Sequence, residues 1–363
     1  MRAAICQEFG QPFEITEVEL APPGPGEVRA RVRAVAICHS DVIFADGGWG
    51  GDLPAVYGHE AAGVVTEVGA GVTDFVPGDH VVITLVRNCG TCMCCERNMR
   101  GSCETRFPLD ARSPLCLPGG GAIKHGLKTA AFAEEVVVEQ SQMVKIDADI
   151  GFDVASLLAC GVITGYGAVT NTAALPPGRD VVVIGTGGVG LNAVQAAALT
   201  GSKRVIAVDL SADKLAAAKE FGATHVIDGA TTDVVKAVRE LTGGRGADYV
   251  FVTVGAVVAM KQSYAMLAPG GASVLVGMAS ADARSTFNPL ALSDDSRRIL
   301  GSKMGHCNIR TEIPQLIGLY RAGKLKLDEL ITARYGFDEI NTAMDNVRAG
   351  VGLRNVIIFG EPQ

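Results

Sequence analysis

The chain has 363 residues, 48% apolar and 20% charged, enough for about two globular domains and unlike a disordered chain or a mini-protein stapled by cysteines. With 32 Lys and Arg against 39 Asp and Glu, its net charge of −7 is the opposite of a nucleic-acid footprint, so no nucleic-acid partner is expected. Gly (45) and Cys (10) stand out in the composition and call for a reason.

The first ten residues, MRAAICQEFG, carry Gln and Glu where a secretory signal has its apolar core, so no export is expected. The uncharged apolar run Tyr249 to Met260 is shorter than the eighteen or so residues of a membrane span, and no membrane partner is expected. The expected compartment is cytoplasmic, where clustered cysteines serve as metal ligands or catalytic groups more often than as disulfides.

From Met1 to about Ala148, short β-branched runs broken by Gly and Pro predict strands at Val28 to Ile37, Gly63 to Val68, His80 to Val86 and Ala133 to Val138. Between Cys103 and Ala131 the pattern lapses into a long loop, a functional or interface element by its length. After Leu175-Pro176-Pro177-Gly178, strands and helices alternate. Strands are predicted at Asp180 to Gly185, Arg204 to Asp209, His225 to Ile227, Tyr249 to Val254 and Ser273 to Val276, with helices at Val189 to Gly201 and Ala212 to Phe221. That alternation predicts an α/β fold with a doubly wound parallel sheet. The last segment predicts helices at Ile313 to Ala322 and Phe337 to Ala349 and a closing strand, Asn355 to Phe359.

Gly185-Thr186-Gly187-Gly188-Val189-Gly190 is a G-x-G-x-x-G that follows a strand and opens a helix, and the acidic Asp209 ends the next strand. Gly185 permits the tight turn, Gly187 lets backbone approach a pyrophosphate, and Gly190 lets helix and strand pack closely. Asp209 is expected to accept from adenosine ribose hydroxyls and repel a 2′-phosphate, with no arginine in the following Leu210-Ser211, so NAD is expected over NADP.

Cys89, Cys92, Cys95 and Cys103 form C-x2-C-x2-C-x7-C, which suits a closed tetrahedral Zn2+ site. An iron–sulfur site and a disulfide pair are the alternatives, and Cys94 breaks the rhythm and is read as a non-ligand. Cys38-His39-Ser40-Asp41, Gly58-His59-Glu60 and Cys160-Gly161 are scattered, and spacing alone does not join them. Two thiolates and one imidazole would make an open, catalytic type of zinc site.

These motifs together resemble the zinc-dependent medium-chain alcohol dehydrogenase family over essentially the whole chain: GHEAAGVV from Gly58, the four-cysteine loop, CGVITGYGA from Cys160, GTGGVG and the VIAVD strand. The resemblance implies a GroES-like β-rich catalytic domain over 1–161 and 302–363, a Rossmann NAD-binding domain inserted over 162–301, and an active site in the cleft between them. It implies two Zn2+ per chain, one held by Cys38, His59 and Cys160 with Glu60 able to approach it. By the same likeness Asp41 orients the ligand histidine, Ser40 takes the alcohol proton and His39 lies beside the pyrophosphate. Thr164 and Val189 hold the nicotinamide, Lys214 lies near the ribose, and Arg354 reaches the pyrophosphate. Trp49, Leu85, Val276 and Met278 fall at positions lining a pocket for medium-chain or aromatic primary alcohols and their aldehydes.

There are departures. Many members place a histidine five residues after the first cysteine ligand, where this chain has Ile43, so the proton relay is expected to end at ribose hydroxyls and water or to use His39. In the glutathione-adduct branch an arginine stands four residues past Cys103, where this chain has Phe107 with Arg106 beside it, which weakens that alternative. A zinc-stabilised NAD-binding redox sensor is the non-enzymatic alternative. The long loop resembles the insertion of dimeric members, so a homodimer is expected.

Overall fold

A computed structural model describes residues 1–360. The described residues form two compact units, one of Met1–Gly161, Asn308–Ala322 and the described residues from Lys326 onward, the other of Val162–Cys307 and Gly323–Leu325.

The strand Glu27–Ala36 is central to the first unit. Val28, Ala30, Val32 and Ala34 alternate into the core while Arg29, Arg31 and Arg33 face outward, the two-residue period of a strand with one buried face. It pairs antiparallel with Glu60–Val68, Glu135–Glu139 and Arg354–Ile358. Arg354–Ile358 in turn runs parallel to Ile331–Gly336, so the end of the chain completes the sheet begun near its start. Local periodicity carries no information about that closure.

The stretch from Cys103 to Ala131 is more ordered than its sequence predicts. It holds the short helix Pro108–Ala111, the strand Leu115–Cys116 paired with Glu19–Leu20, and Lys124–His125 paired with Ala55–Val56. Asp110 accepts from the fully buried Arg87 side chain at 2.9 Å, and Arg112 donates to the buried Glu27 at 2.6 Å. Partners this distant in sequence leave no local pattern.

The second unit is a six-stranded parallel sheet in the order His225–Asp228, Arg204–Asp209, Asp180–Ile184, Ala247–Val252, Leu267–Leu275, Arg298–Gly301. The order reverses beside Asp180–Ile184, whose five residues are all buried, as a strand covered on both faces requires. The predicted strand and helix boundaries here shift by a few residues. The apolar run from Tyr249 is divided between the strand Ala247–Val252 and the helix Val257–Ala265. A longer apolar segment, Phe152–Thr172, is helical and long and apolar enough to cross a membrane, but 89% of its most apolar window is buried inside the protein, as in a core helix.

Candidate active site

Three elements of the first unit bring four metal-binding side chains together. Cys38 caps the helix His39–Ala45, His59 precedes the strand Glu60–Val68, and Cys160 lies in the π-turn Leu158–Val162, a local widening of the helix often found at functional sites. One ligand atom from each of Cys38, His59, Glu60 and Cys160 lies within 4.8 Å of the others.

Asp41 organises this group. Its fully buried carboxylate accepts from the Cys38 N–H (2.9 Å), the Gly58 N–H (3.0 Å) and His59 Nδ1 (3.0 Å). With Nδ1 committed to Asp41, His59 turns Nε2 inward, and that buried nitrogen has no hydrogen-bond partner. Gly58 has φ +86° and its Cβ would stand 2.7 Å from the Phe132 backbone nitrogen, so the residue before the histidine is restricted to glycine.

The charges are tightly coupled. Burial lowers the pKa of His59, but the Asp41 carboxylate and the Cys38 sulfur outweigh it and hold the imidazole well above its ordinary value. Cys160 donates its S–H to Cys38, which holds Cys38 well below and Cys160 well above the ordinary thiol value. Burial pushes Glu60 up to about 7 against the pull of Arg354, whose guanidinium donates to Glu60 Oε2 at 2.5 Å. Glu60 Oε2 also accepts from the Gly161 N–H at 3.2 Å, while Oε1 is buried without a partner. A divalent cation would replace the shared protons and engage the orphaned Nε2, because thiolate and neutral imidazole are the metal-binding forms. The donor set therefore fits Zn2+, with Glu60 as a carboxylate within reach.

The second cysteine group has its own geometry. Cys89 Sγ lies 4.0 Å from Cys95 Sγ and 3.7 Å from Cys103 Sγ, and Cys92 Sγ lies 3.8 Å from Cys103 Sγ. Four sulfurs about 2.3 Å from one zinc sit about 3.8 Å apart at tetrahedral corners. All ten cysteines are outside disulfides, and the tetrad's mutual separation within 4.8 Å encloses one ion rather than a multi-iron cluster. Backbone N–H groups of Cys89, Thr91, Cys92 and Glu104 point at these sulfurs. Hydrogen bonds from Thr105 and then Thr91 lower Cys89 to about 5, and burial raises Cys95 to about 12. Cys94 is outside the tetrad.

In the second unit, Gly185 has φ +89° and a Cβ on Gly190 would fall 1.8 Å from the Gly185 carbonyl oxygen. A Cβ on Gly187 would meet nothing within 4 Å, which leaves one side of the turn open to a ligand beside the N-terminus of the helix Gly188–Leu199. Val189 is half-buried in that helix, and its carbonyl oxygen would lie 2.1 Å from a Cβ on Gly165. Asp209 ends its strand with its carboxylate engaged by Thr186, Leu210 and Ser211.

The other expected site residues are placed as follows. Ser40 is half-buried and His39 exposed at the start of the helix His39–Ala45, with Ile43 half-buried in it. Thr164 is buried with its hydroxyl 3.7 Å from Met304 Sδ, and Lys214 is half-buried in the helix Ala212–Glu220. Trp49 meets Phe44 edge-on at 5.1 Å; Leu85 is half-buried, Val276 buried and Met278 61% exposed. Arg354, expected to reach a pyrophosphate, is 7% exposed and committed to Glu60, with its Nε–H unpartnered. Sequence reasoning missed the Thr186 contacts, although a hydroxyl between motif glycines was the available signal. The Arg354–Glu60 pair had none.

Two family models match the chain. The alcohol dehydrogenase GroES-like domain model matches residues 24–148 and the zinc-binding dehydrogenase model residues 188–322. Alcohol dehydrogenase B of Mycobacterium tuberculosis is 36% identical over 99% of this chain and 98% of its own. The NDMA-dependent alcohol dehydrogenase of Amycolatopsis methanolica is 37% identical over 98% of both chains. The crystal structure of benzyl alcohol dehydrogenase from Acinetobacter calcoaceticus matches with a TM-score of 0.93, 32% identity and 99% coverage of both chains.

Proposed function

This chain belongs to the zinc-dependent medium-chain alcohol dehydrogenases, with a GroES-like domain and an inserted Rossmann domain, and from that premise we propose that it interconverts primary medium-chain or aromatic alcohols and aldehydes with NAD. The observation that carries the reading is the convergence of Cys38 and Cys160 on the buried, unpartnered Nε2 of His59. Zn2+ held by these three residues supplies Lewis acidity to an alcohol or carbonyl oxygen. A second Zn2+, held by Cys89, Cys92, Cys95 and Cys103, ties down the loop that carries them.

The protein's own groups prepare the rest. Asp41 fixes the His59 ring so that Nδ1–H is donated and Nε2 keeps its lone pair for a metal. Arg354 balances the Glu60 carboxylate, so an acid can sit beside the ligands without adding an uncompensated buried charge. Ser40 receives the substrate proton, and Ile43 cannot carry it further. The relay then leaves by ribose hydroxyls and water or through His39, and a His39→Gln variant with an unchanged pH profile of turnover selects the first route. The negative charge of Asp209 supports NAD over NADP.

The likeness to a benzyl alcohol dehydrogenase supports the aromatic substrate class, and in the stretch of sequence from Cys38 to His59 Trp49 meets Phe44 at 5.1 Å while Phe44 stacks on Tyr57 at 5.8 Å. The test is turnover with benzyl alcohol, medium-chain primary alcohols and S-(hydroxymethyl)glutathione, each with NAD and NADP. Preference for the first two with NAD is expected; preference for the glutathione adduct, or no turnover, overturns the reading.

A homodimer is part of the proposal. Arg298–Gly301 ends the parallel sheet, and among the described residues no strand pairs with its outer edge. Ile299, Phe287 and Leu290 are exposed nearby in sequence, and an open edge with apolar neighbours invites pairing with a second copy. Sedimentation should give about 75 kDa, twice the 37.6 kDa of one chain; a mass near four subunits contradicts this. The clustered thiols support a cytoplasmic working environment.

A further inference from the structure

The outward face of the strand Glu27–Ala36 borders a recess of about 700 Å³ in the first unit. Its wall carries Arg2, Arg29, Arg31 and Arg33 against the acids Glu134, Glu135 and Asp338. The acids are already engaged. Glu134 accepts from Arg2 Nε at 2.9 Å and Asp338 from Arg2 Nη1 at 3.0 Å, while Glu135 accepts from Arg29. Among the described residues no carboxylate pairs with Arg31 or Arg33, and the Nε–H of Arg29 is buried without an acceptor. A chain of net charge −7 thus keeps two unneutralised guanidiniums and an orphaned donor on one wall.

The strand presents the two guanidiniums by leaving its regular pairing. Its register with Glu60–Val68 slips between Arg29 and Ala30 and again between Val32 and Ala34, and such bulges bend a strand and re-aim its side chains. Arg33 sits in the second bulge, its carbonyl accepting from the Phe359 N–H at 2.9 Å and its guanidinium 5.9 Å over the Phe152 ring. Arg31 is exposed. Two residues span about 6.5 Å along a strand, near enough for both planar forks to meet one phosphoryl group or two joined ones, and each fork matches a pair of phosphate oxygens. The volume is that of a small-molecule site, whereas a long polyanion would be repelled by the net negative charge of the chain.

We propose that this recess binds a phosphate-bearing small molecule, with Arg31 and Arg33 as the side chains that hold its anionic group. It shares no residue with the two zinc sites, and the glycine turn from Gly185 belongs to the second unit. It is therefore a further ligand site, independent of the alcohol chemistry and of the NAD reading.

The test is a calorimetric titration of the full-length, zinc-loaded protein with inorganic pyrophosphate, with NADH at saturation to occupy the glycine turn. Salt at about 0.15 M screens diffuse attraction beyond about 8 Å. One site per chain is expected. Arg31→Gln and Arg33→Gln should each weaken it by about tenfold, the scale of one hydrogen bond to a charged group, and the double variant should abolish it. Glu135→Gln should tighten it, because a negative charge leaves the wall and Arg29 is released; a folding defect does not produce that gain. No saturable binding by wild type overturns the proposal. So does wild-type affinity in the double variant, as an anion held by a zinc ion would give, or a Glu135→Gln variant that binds no more tightly. Circular dichroism establishes that the variants are folded.

Discussion

Asp41→Asn removes the charge at the centre of the proposed catalytic site with little change of shape. The carboxylate is fully buried and serves Cys38 N–H, Gly58 N–H and His59 Nδ1 at 2.9–3.0 Å. If the amide oxygen stays with Gly58 and His59, the amide NH2 must face the Cys38 N–H, donor against donor. A lost hydrogen bond to a charged group together with a buried unsatisfied donor costs about 2–4 kcal/mol. The imidazole also loses the anion that raises its basicity, and removing such a partner of a ligand histidine weakens metal binding by about 10–100-fold. Competition with a chromophoric chelator measures this in one titration, since the cysteine tetrad serves as an internal control. One zinc should leave at lower chelator concentration and the other at the wild-type concentration. Unchanged release of both, in a folded variant, refutes the role given to Asp41.

Gly58→Ala forces a left-handed backbone on alanine and brings its Cβ to 2.7 Å from the Phe132 backbone nitrogen. The combined strain and overpacking should cost about 2–4 kcal/mol in urea unfolding, and an unchanged midpoint would contradict the geometry. His125 tests the buried loop. Its two ring nitrogens have no hydrogen-bond partner, and burial, then the Arg87 guanidinium, lower it to about 3. A depressed pKa means that its contribution to stability is present above about 6.5 and is lost as pH falls toward 3, at up to about 1.4 kcal/mol per pH unit. His125→Phe should flatten the acid limb of the stability profile over that window relative to wild type; parallel profiles would refute this.

Legibility followed distance along the chain. The glycine turn and Asp209 lie within one strand–helix–strand unit, and each glycine has a local reason that survives into the structure, such as the 1.8 Å approach that only Gly190 permits. Four cysteines in one loop announce themselves in the same way. Cys38, His59 and Cys160 do not, because a helix cap, a strand start and a π-turn meet only in three dimensions, and family likeness had to join them. Glu60 and Arg354 are 294 residues apart, beyond any periodicity. The Cys103 to Ala131 stretch reads as a long loop in sequence because its order comes from Arg87 and Glu27, not from a pattern of its own.

The most direct test is Cys160→Ala, followed by zinc analysis and nicotinamide absorbance with benzyl alcohol and NAD. Wild type should carry two zincs per chain and reduce NAD, and the variant should keep one zinc, remain folded and lose turnover. Two zincs in the variant, or turnover within tenfold of wild type, contradict the assignment of Cys38, His59 and Cys160 as the catalytic metal site.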